Sequence, residues 1–119
     1  MFLGLRTVIY MVDDMPKAKA WYDTLLGIAP YFDEPFYIGY NVGGYELGLH
    51  PKAAHIKAGN TPVSYWGVSN IEEAFERMKS LSAKEYEPIQ DVGGGIKVAA
   101  FFDPFGNVIG VIENPHFTL

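Results

Sequence analysis

The sequence carries one pattern twice. "VDDMPKAKAWYDTLLG" (Val12 to Gly27) ends one apolar segment, opens an amphipathic one and stops at a glycine, and "VSNIEEAFERMKSLSA" (Val68 to Ala83) repeats the rhythm. Val12 and Val68 stand 56 positions apart (68 − 12). The same shift carries Tyr10 to Trp66, Asp14 to Asn70, Met15 to Ile71, Ala18 to Ala74, Tyr22 to Met78 and Leu25 to Leu81. Order, caps and length all recur, which marks a duplicated unit and not two unrelated amphipathic stretches. A chain of 119 residues has room for two such units and little else.

Each copy reads as β-α-β-β-β. In the first, "LRTVIYMV" is a β-rich run bounded by Asp13 and Asp14. Asp14 is placed to cap the next helix, and Pro16 sits in the first turn, where a missing N–H costs little. Met15, Ala18, Tyr22, Leu25 and Leu26 form its apolar face, and Gly27 ends it. Three strand-like runs follow, "APYFDE", "FYIGYNV" and "YELGLHP", the last two joined by a tight turn at Gly43-Gly44. The second copy opens with "PVSYWGV". Asn70 caps its helix with Glu73 three residues on, and Ile71, Ala74, Phe75, Met78 and Leu81 make the apolar stripe. Then come "YEPIQDV", "IKVAAFF" and "NVIGVIE", with a turn at "DPFGN". "GYNVGGYELG" and "DVGGGI" read as turns and not phosphate loops, because neither joins a strand to a helix with a following Lys and Ser/Thr. Gly93 to Gly95 read as a flexible edge.

The totals narrow the partners. With 49% hydrophobic and 19% charged residues the chain folds rather than staying disordered. Nine scattered basic residues and a net charge of −5 make no stripe for a phosphate backbone, so nucleic acid is not expected. No apolar run approaches a membrane span, and "MFLGLRTVIYMVDD" lacks the basic n-region of a signal peptide. The absence of cysteine excludes thiolate chemistry and fits a cytoplasmic location.

Two β-α-β-β-β units in one short chain resemble the vicinal oxygen chelate superfamily, the glyoxalase, bleomycin-resistance and dioxygenase proteins. "VDDMPKAKAWYDTLLG" resembles the family's opening, with Trp21-Tyr22 and Leu26-Gly27 in the places of its aromatic pair and terminal Leu-Gly. "FFDPFGNVIGVIE" resembles its closing hairpin, with Asp103 to Asn107 as the turn. The resemblance covers essentially the whole chain. It implies an α+β fold of two βαβββ modules, about 3–51 and 61–115, in a single domain whose curved mixed sheets form a bowl. It also implies a homodimer, side by side or with exchanged halves.

The family's metal-using members take ligands from the first and fourth strand of each unit. Carried over, those places are Thr7, Glu46, Val63 and Gly110. Only Glu46 offers a good donor; Val63 and Gly110 offer none, and a hydroxyl such as Thr7 is a poor ligand for zinc or iron. Moving the register by one brings in Pro62, Ser64, Ile109 or Val111 and no strong ligand. No metal or other cofactor is therefore expected, and metal-dependent glyoxalase or dioxygenase activity is disfavoured.

Strand alternation then picks the pocket. A two-residue turn at Gly43-Gly44 puts Val42 opposite Tyr45 and Asn41 opposite Glu46. Thr7, Met11, Tyr37, Asn41, Glu46, His50 and Tyr65 are the candidate ligand-pocket residues, in an otherwise apolar and aromatic lining. Trp66 has opposite parity and belongs behind the sheet. Glu46 either hydrogen-bonds Asn41, Thr7 and nearby backbone, or faces an apolar cavity unpaired, where desolvation would raise its pKa. His55 and His116 are given no role, and no catalytic residue is assigned. The expected function is binding of a small organic molecule, aromatic or cationic, in a metal-free cavity. The alternative is a divergent lyase or dioxygenase-type enzyme using a metal or Glu46/His50 acid–base chemistry.

Overall fold

A computed structural model describes residue 3 and residues 5–52 and 63–119. His55, and Pro62 at the expected start of the second module, lie outside the described residues. The chain divides into two compact units, Met1–Lys57 and Ala58–Leu119.

The first unit runs β1 (Thr7–Val12), α1 (Met15–Leu26), β2 (Phe32–Glu34), β3 (Tyr37–Val42) and β4 (Tyr45–Pro51). Its open sheet has the order β1-β4-β3-β2. β1 runs parallel to β4, and the other pairings are antiparallel. The caps fall where local chemistry puts them. Asp14 Oδ1 accepts from the Lys17 N–H at 3.0 Å, and Gly27 closes the helix in the left-handed region at φ 67°. One sheet face is packed: Tyr10, Val12, Ile38, Tyr40, Leu47 and Leu49 are buried with Ala18 and Tyr22 of α1. Each such apolar side chain withdrawn from water contributes about 1.5–3 kcal/mol. The Tyr10 and Tyr22 rings stack at 6.1 Å between centroids. Tyr40 adds a polar tie, its hydroxyl donating to Asp23 Oδ1 at 2.7 Å while Lys19 Nζ holds Asp23 Oδ2 at 2.6 Å.

The second unit repeats the order as β5 (Ser64–Gly67), α2 (Ile71–Ser80), β6 (Lys84–Asp91), β7 (Lys97–Phe102) and β8 (Val108–Glu113), with sheet order β5-β8-β7-β6. Asn70 Oδ1 accepts from the Glu73 N–H at 3.0 Å, and Glu113 Oε1 takes the Ile71 N–H at 2.9 Å. Ile71, Met78, Phe101, Ile109 and Val111 are buried in its core. Buried Asp103 organises the closing turn. Its Oδ1 accepts from the N–H groups of Phe105 and Asn107 at 2.8 and 2.7 Å, and its Oδ2 from Asn107 Nδ2 at 3.0 Å.

Two expectations change. In the run "APYFDE" the strand spans only Phe32–Glu34; Tyr31, whose N–H donates to Gly39 O at 3.0 Å, precedes it and escapes its alternation. Gly39 and Gly48 lie inside the expected strands, and Gly43 and Gly44, at φ 60° and 92°, make the expected turn. The Gly93–Gly95 segment is not a free edge. Ile96 donates to Gly93 O at 3.0 Å, Val92 to Ile96 O at 2.9 Å, and His116 Nε2 bonds Gly94 O at 2.7 Å.

Candidate functional site

The unpacked face of the first sheet holds the candidate site. Cα register places Thr7 beside Glu46 and Met11 beside His50, with Asn41 facing Glu46 across the hairpin. Strand alternation is visible in burial: Ile9 on this face is 48% exposed, while the next residue, Tyr10, is 5%.

Two glycines shape this face. A Cβ built on Gly39 would come 3.1 Å from Tyr31 Cε1 and 3.2 Å from Tyr37 Cε2, and one on Gly48 would lie 2.7 Å from Tyr37 Cζ. Bare backbone at both positions lets the two tyrosine rings lie against the sheet. Their hydroxyls converge on one carboxylate: Tyr31 donates to Glu46 Oε1 and Tyr37 to Oε2.

That convergence settles the state of Glu46. Its partners are Tyr31 and Tyr37, not Asn41 or Thr7. The hydrogen bond from Tyr31, then that from Tyr37, holds its carboxyl below the usual carboxylate range, against a smaller opposing effect of burial. Of the two states left open for Glu46, the hydrogen-bonded one is found, with tyrosines as partners, and not the unpaired one with a raised pKa. The phenols move the other way. The Glu46 hydrogen bond raises Tyr31, and burial followed by the Glu46 hydrogen bond raises Tyr37.

Beside the clamp lies a shallow, open depression of about 440 Å³ lined, among the described residues, by Tyr31, Phe32, Phe36, Tyr37 and His50. Phe32 meets Phe36 at 5.9 Å between centroids and 67°, and Tyr37 at 6.1 Å and 54°. His50 Nδ1 bonds the Pro51 carbonyl at 2.7 Å; donating there leaves Nε2 as acceptor in the neutral ring. Of the candidate residues, Tyr37 and His50 line this cavity, and Glu46 joins it through the two hydroxyls. Thr7, Met11 and Asn41 share the sheet face without lining the cavity, and Asn41 Oδ1 accepts from the Gly44 N–H at 2.9 Å in the turn. Tyr65 lies in the second unit, 43% exposed, its ring over Gly110: a Cβ there would stand 2.5 Å from Tyr65 Cδ1.

Sequence reasoning missed Tyr31, Phe32 and Phe36. The signal was the density of rings in "PYFDEPFY" (Pro30 to Tyr37), four aromatics of which three stand exposed outside the core.

Comparison with known proteins follows the same lines. The family model described as Glyoxalase/Bleomycin resistance protein/Dioxygenase superfamily matches residues 4–111. The chain belongs to this superfamily. A search of curated proteins gave no match. Among solved structures, a glyoxalase-related enzyme from Fulvimarina pelagi superposes with a TM-score of 0.77 at 17% identity, over 99% of this chain and 93% of that one. Lactoylglutathione lyase from Agrobacterium tumefaciens gives 0.76 at 17% identity over 97% and 98%. The fosfomycin resistance protein FosX from Listeria monocytogenes gives 0.76 at 15% over 98% and 97%. At these identities the likeness shows the α+β fold of paired βαβββ units.

The places where the superfamily resemblance implies metal ligands do not make a donor set in this chain. Thr7 and Glu46 are register neighbours, as a ligand pair would be, but Thr7 brings only a neutral hydroxyl and Glu46 already accepts a tyrosine hydroxyl at each oxygen. In the second unit Gly110 pairs with Tyr65, and the register that joins Ser64 to Ile109 brings Val108, not Gly110, level with Val63. Neither valine has a donor atom. Among the described residues no group of three or more His, Asp or Glu is placed to hold a metal ion. The donor set does not fit a divalent cation. Among the described residues, too, no helix is long and apolar enough to cross a membrane.

Proposed function

We propose that the protein binds a small organic molecule in the aromatic cavity of its first unit, with no metal among the groups that hold it. The observation that carries this reading is the set of rings around the cavity. Tyr31, Phe32 and Phe36 are 64%, 38% and 63% exposed, although their apolar surface would be buried at little cost in the core. Clustered exposed rings beside a cavity in the size range of ligand sites are what a binding site needs and a core does not. Glu46 supports the reading by fixing the two tyrosines, and His50 supplies a polar edge.

The enzymatic alternative asks Glu46 to accept a proton near neutrality. A carboxyl held below its ordinary range is a weaker base, which favours binding over acid–base turnover. We infer, with the family resemblance as support, a cytoplasmic homodimer with no nucleic-acid or membrane partner.

A thermal-shift screen of metabolites and antibiotics tests the reading. A ligand at 100 times its Kd raises stability by about 2.7 kcal/mol. The expected result is a hit whose shift disappears in Phe36→Ala with the fold intact. Hits indifferent to Phe36, or none across a broad library, would count against the cavity.

A further inference from the structure

We propose that the ligand is an organic cation, a substituted ammonium group seated among Tyr31, Phe32, Phe36 and Tyr37. This deepens the cavity assignment above and rests on it. Among the described residues four rings and one imidazole line the cavity, and none of these is a Lys or Arg. An aromatic ring attracts a cation through the negative potential of its face. Two of these rings are phenols donating to a carboxylate, an arrangement that pushes electron density onto the ring and strengthens that potential.

Charge at the rim has the same sign. Glu34 pairs with Tyr37 in the β2–β3 register and shares the face of Phe32 on its strand. Asp33 alternates to the other face, where it acts on Lys19 and Tyr40. An anionic ligand would therefore meet ring faces and two carboxylates, with no Lys or Arg among the described lining residues to balance it. A neutral one would gain nothing from either carboxylate. Because both oxygens of Glu46 already accept hydrogen bonds, recognition falls to the rings and the field behind them. A quaternary ammonium, which has no N–H to donate, fits such a site as well as a protonated amine does.

The test compares choline with its neutral carbon isostere, 3,3-dimethylbutan-1-ol, by NMR titration of the wild-type protein, following the Phe36 and Tyr37 signals. The two probes share shape and hydroxyl and differ in charge. Choline is expected to bind roughly fivefold or more tightly, the discrimination that cation–ring attraction provides. Glu46→Gln, which keeps the side-chain shape, and Tyr31→Phe, which removes one donor, should each weaken choline binding more than the isostere's and so shrink that preference. Equal affinities in the wild type would overturn the cation assignment and leave the cavity standing. Silence of the cavity signals toward both probes up to their solubility would overturn both. A preference unchanged in Glu46→Gln would overturn the role given to the clamp.

Discussion

The ring of Tyr37 lies across Gly48 with no room for a side chain between them: a Cβ on Gly48 would stand 2.7 Å from Tyr37 Cζ. The contact places the Tyr37 hydroxyl on Glu46, so a glycine inside a strand serves the geometry of the site.

A matched pair of substitutions separates this role from ordinary strand preference. Gly67, also in a strand, has nothing within 4 Å of a Cβ position, so Gly67→Ala should be neutral or stabilising by about 0.5 kcal/mol. Gly48→Ala must displace Tyr37 and should cost about 1–3 kcal/mol. Urea denaturation of both variants measures the difference. Equal effects would mean that Tyr37 gives way freely.

The clamp also predicts a pH response. Glu46 has its folded-state pKa lowered, so its contribution is present above the ordinary carboxylate range and is lost as the pH falls toward the folded midpoint. The phenols, raised in the folded state, add stability below about pH 10 that is lost above it. An NMR titration should show the Glu46 midpoint below the ordinary glutamate range in the wild type, and moved upward in Tyr31→Phe/Tyr37→Phe.

Asp103 should carry much of the stability of the closing turn. Asp103→Ala leaves the Phe105 and Asn107 N–H groups without their acceptor and should cost about 1–3 kcal/mol. Asp103→Asn keeps an oxygen in place and should lose less. Thermal melts of the two variants check the order.

Much of the fold was legible because its signals are local. The Asp14 and Asn70 caps, the Gly27 stop and the Gly43-Gly44 turn are each fixed within a few residues, and the turn in turn fixes Asn41 opposite Glu46. The site was legible only by strand parity, which found Tyr37, Glu46 and His50. Tyr31 reaches Glu46 from 15 positions away and from just outside β2, where alternation no longer applies. Gly39 and Gly48 were legible as strand residues, but the need for bare backbone there lies in rings that cross from other segments. In the second unit, the pairing of Tyr65 with Gly110 follows from sheet register, which the repeat spacing alone does not set.

The central claim is binding by rings without a metal. Calorimetric titration of the best screening hit into tag-free protein, before and after exhaustive treatment with a chelator, tests it most directly. The account predicts the same affinity and stoichiometry in both samples. Affinity that vanishes on chelation and returns with added zinc, manganese or iron would contradict it.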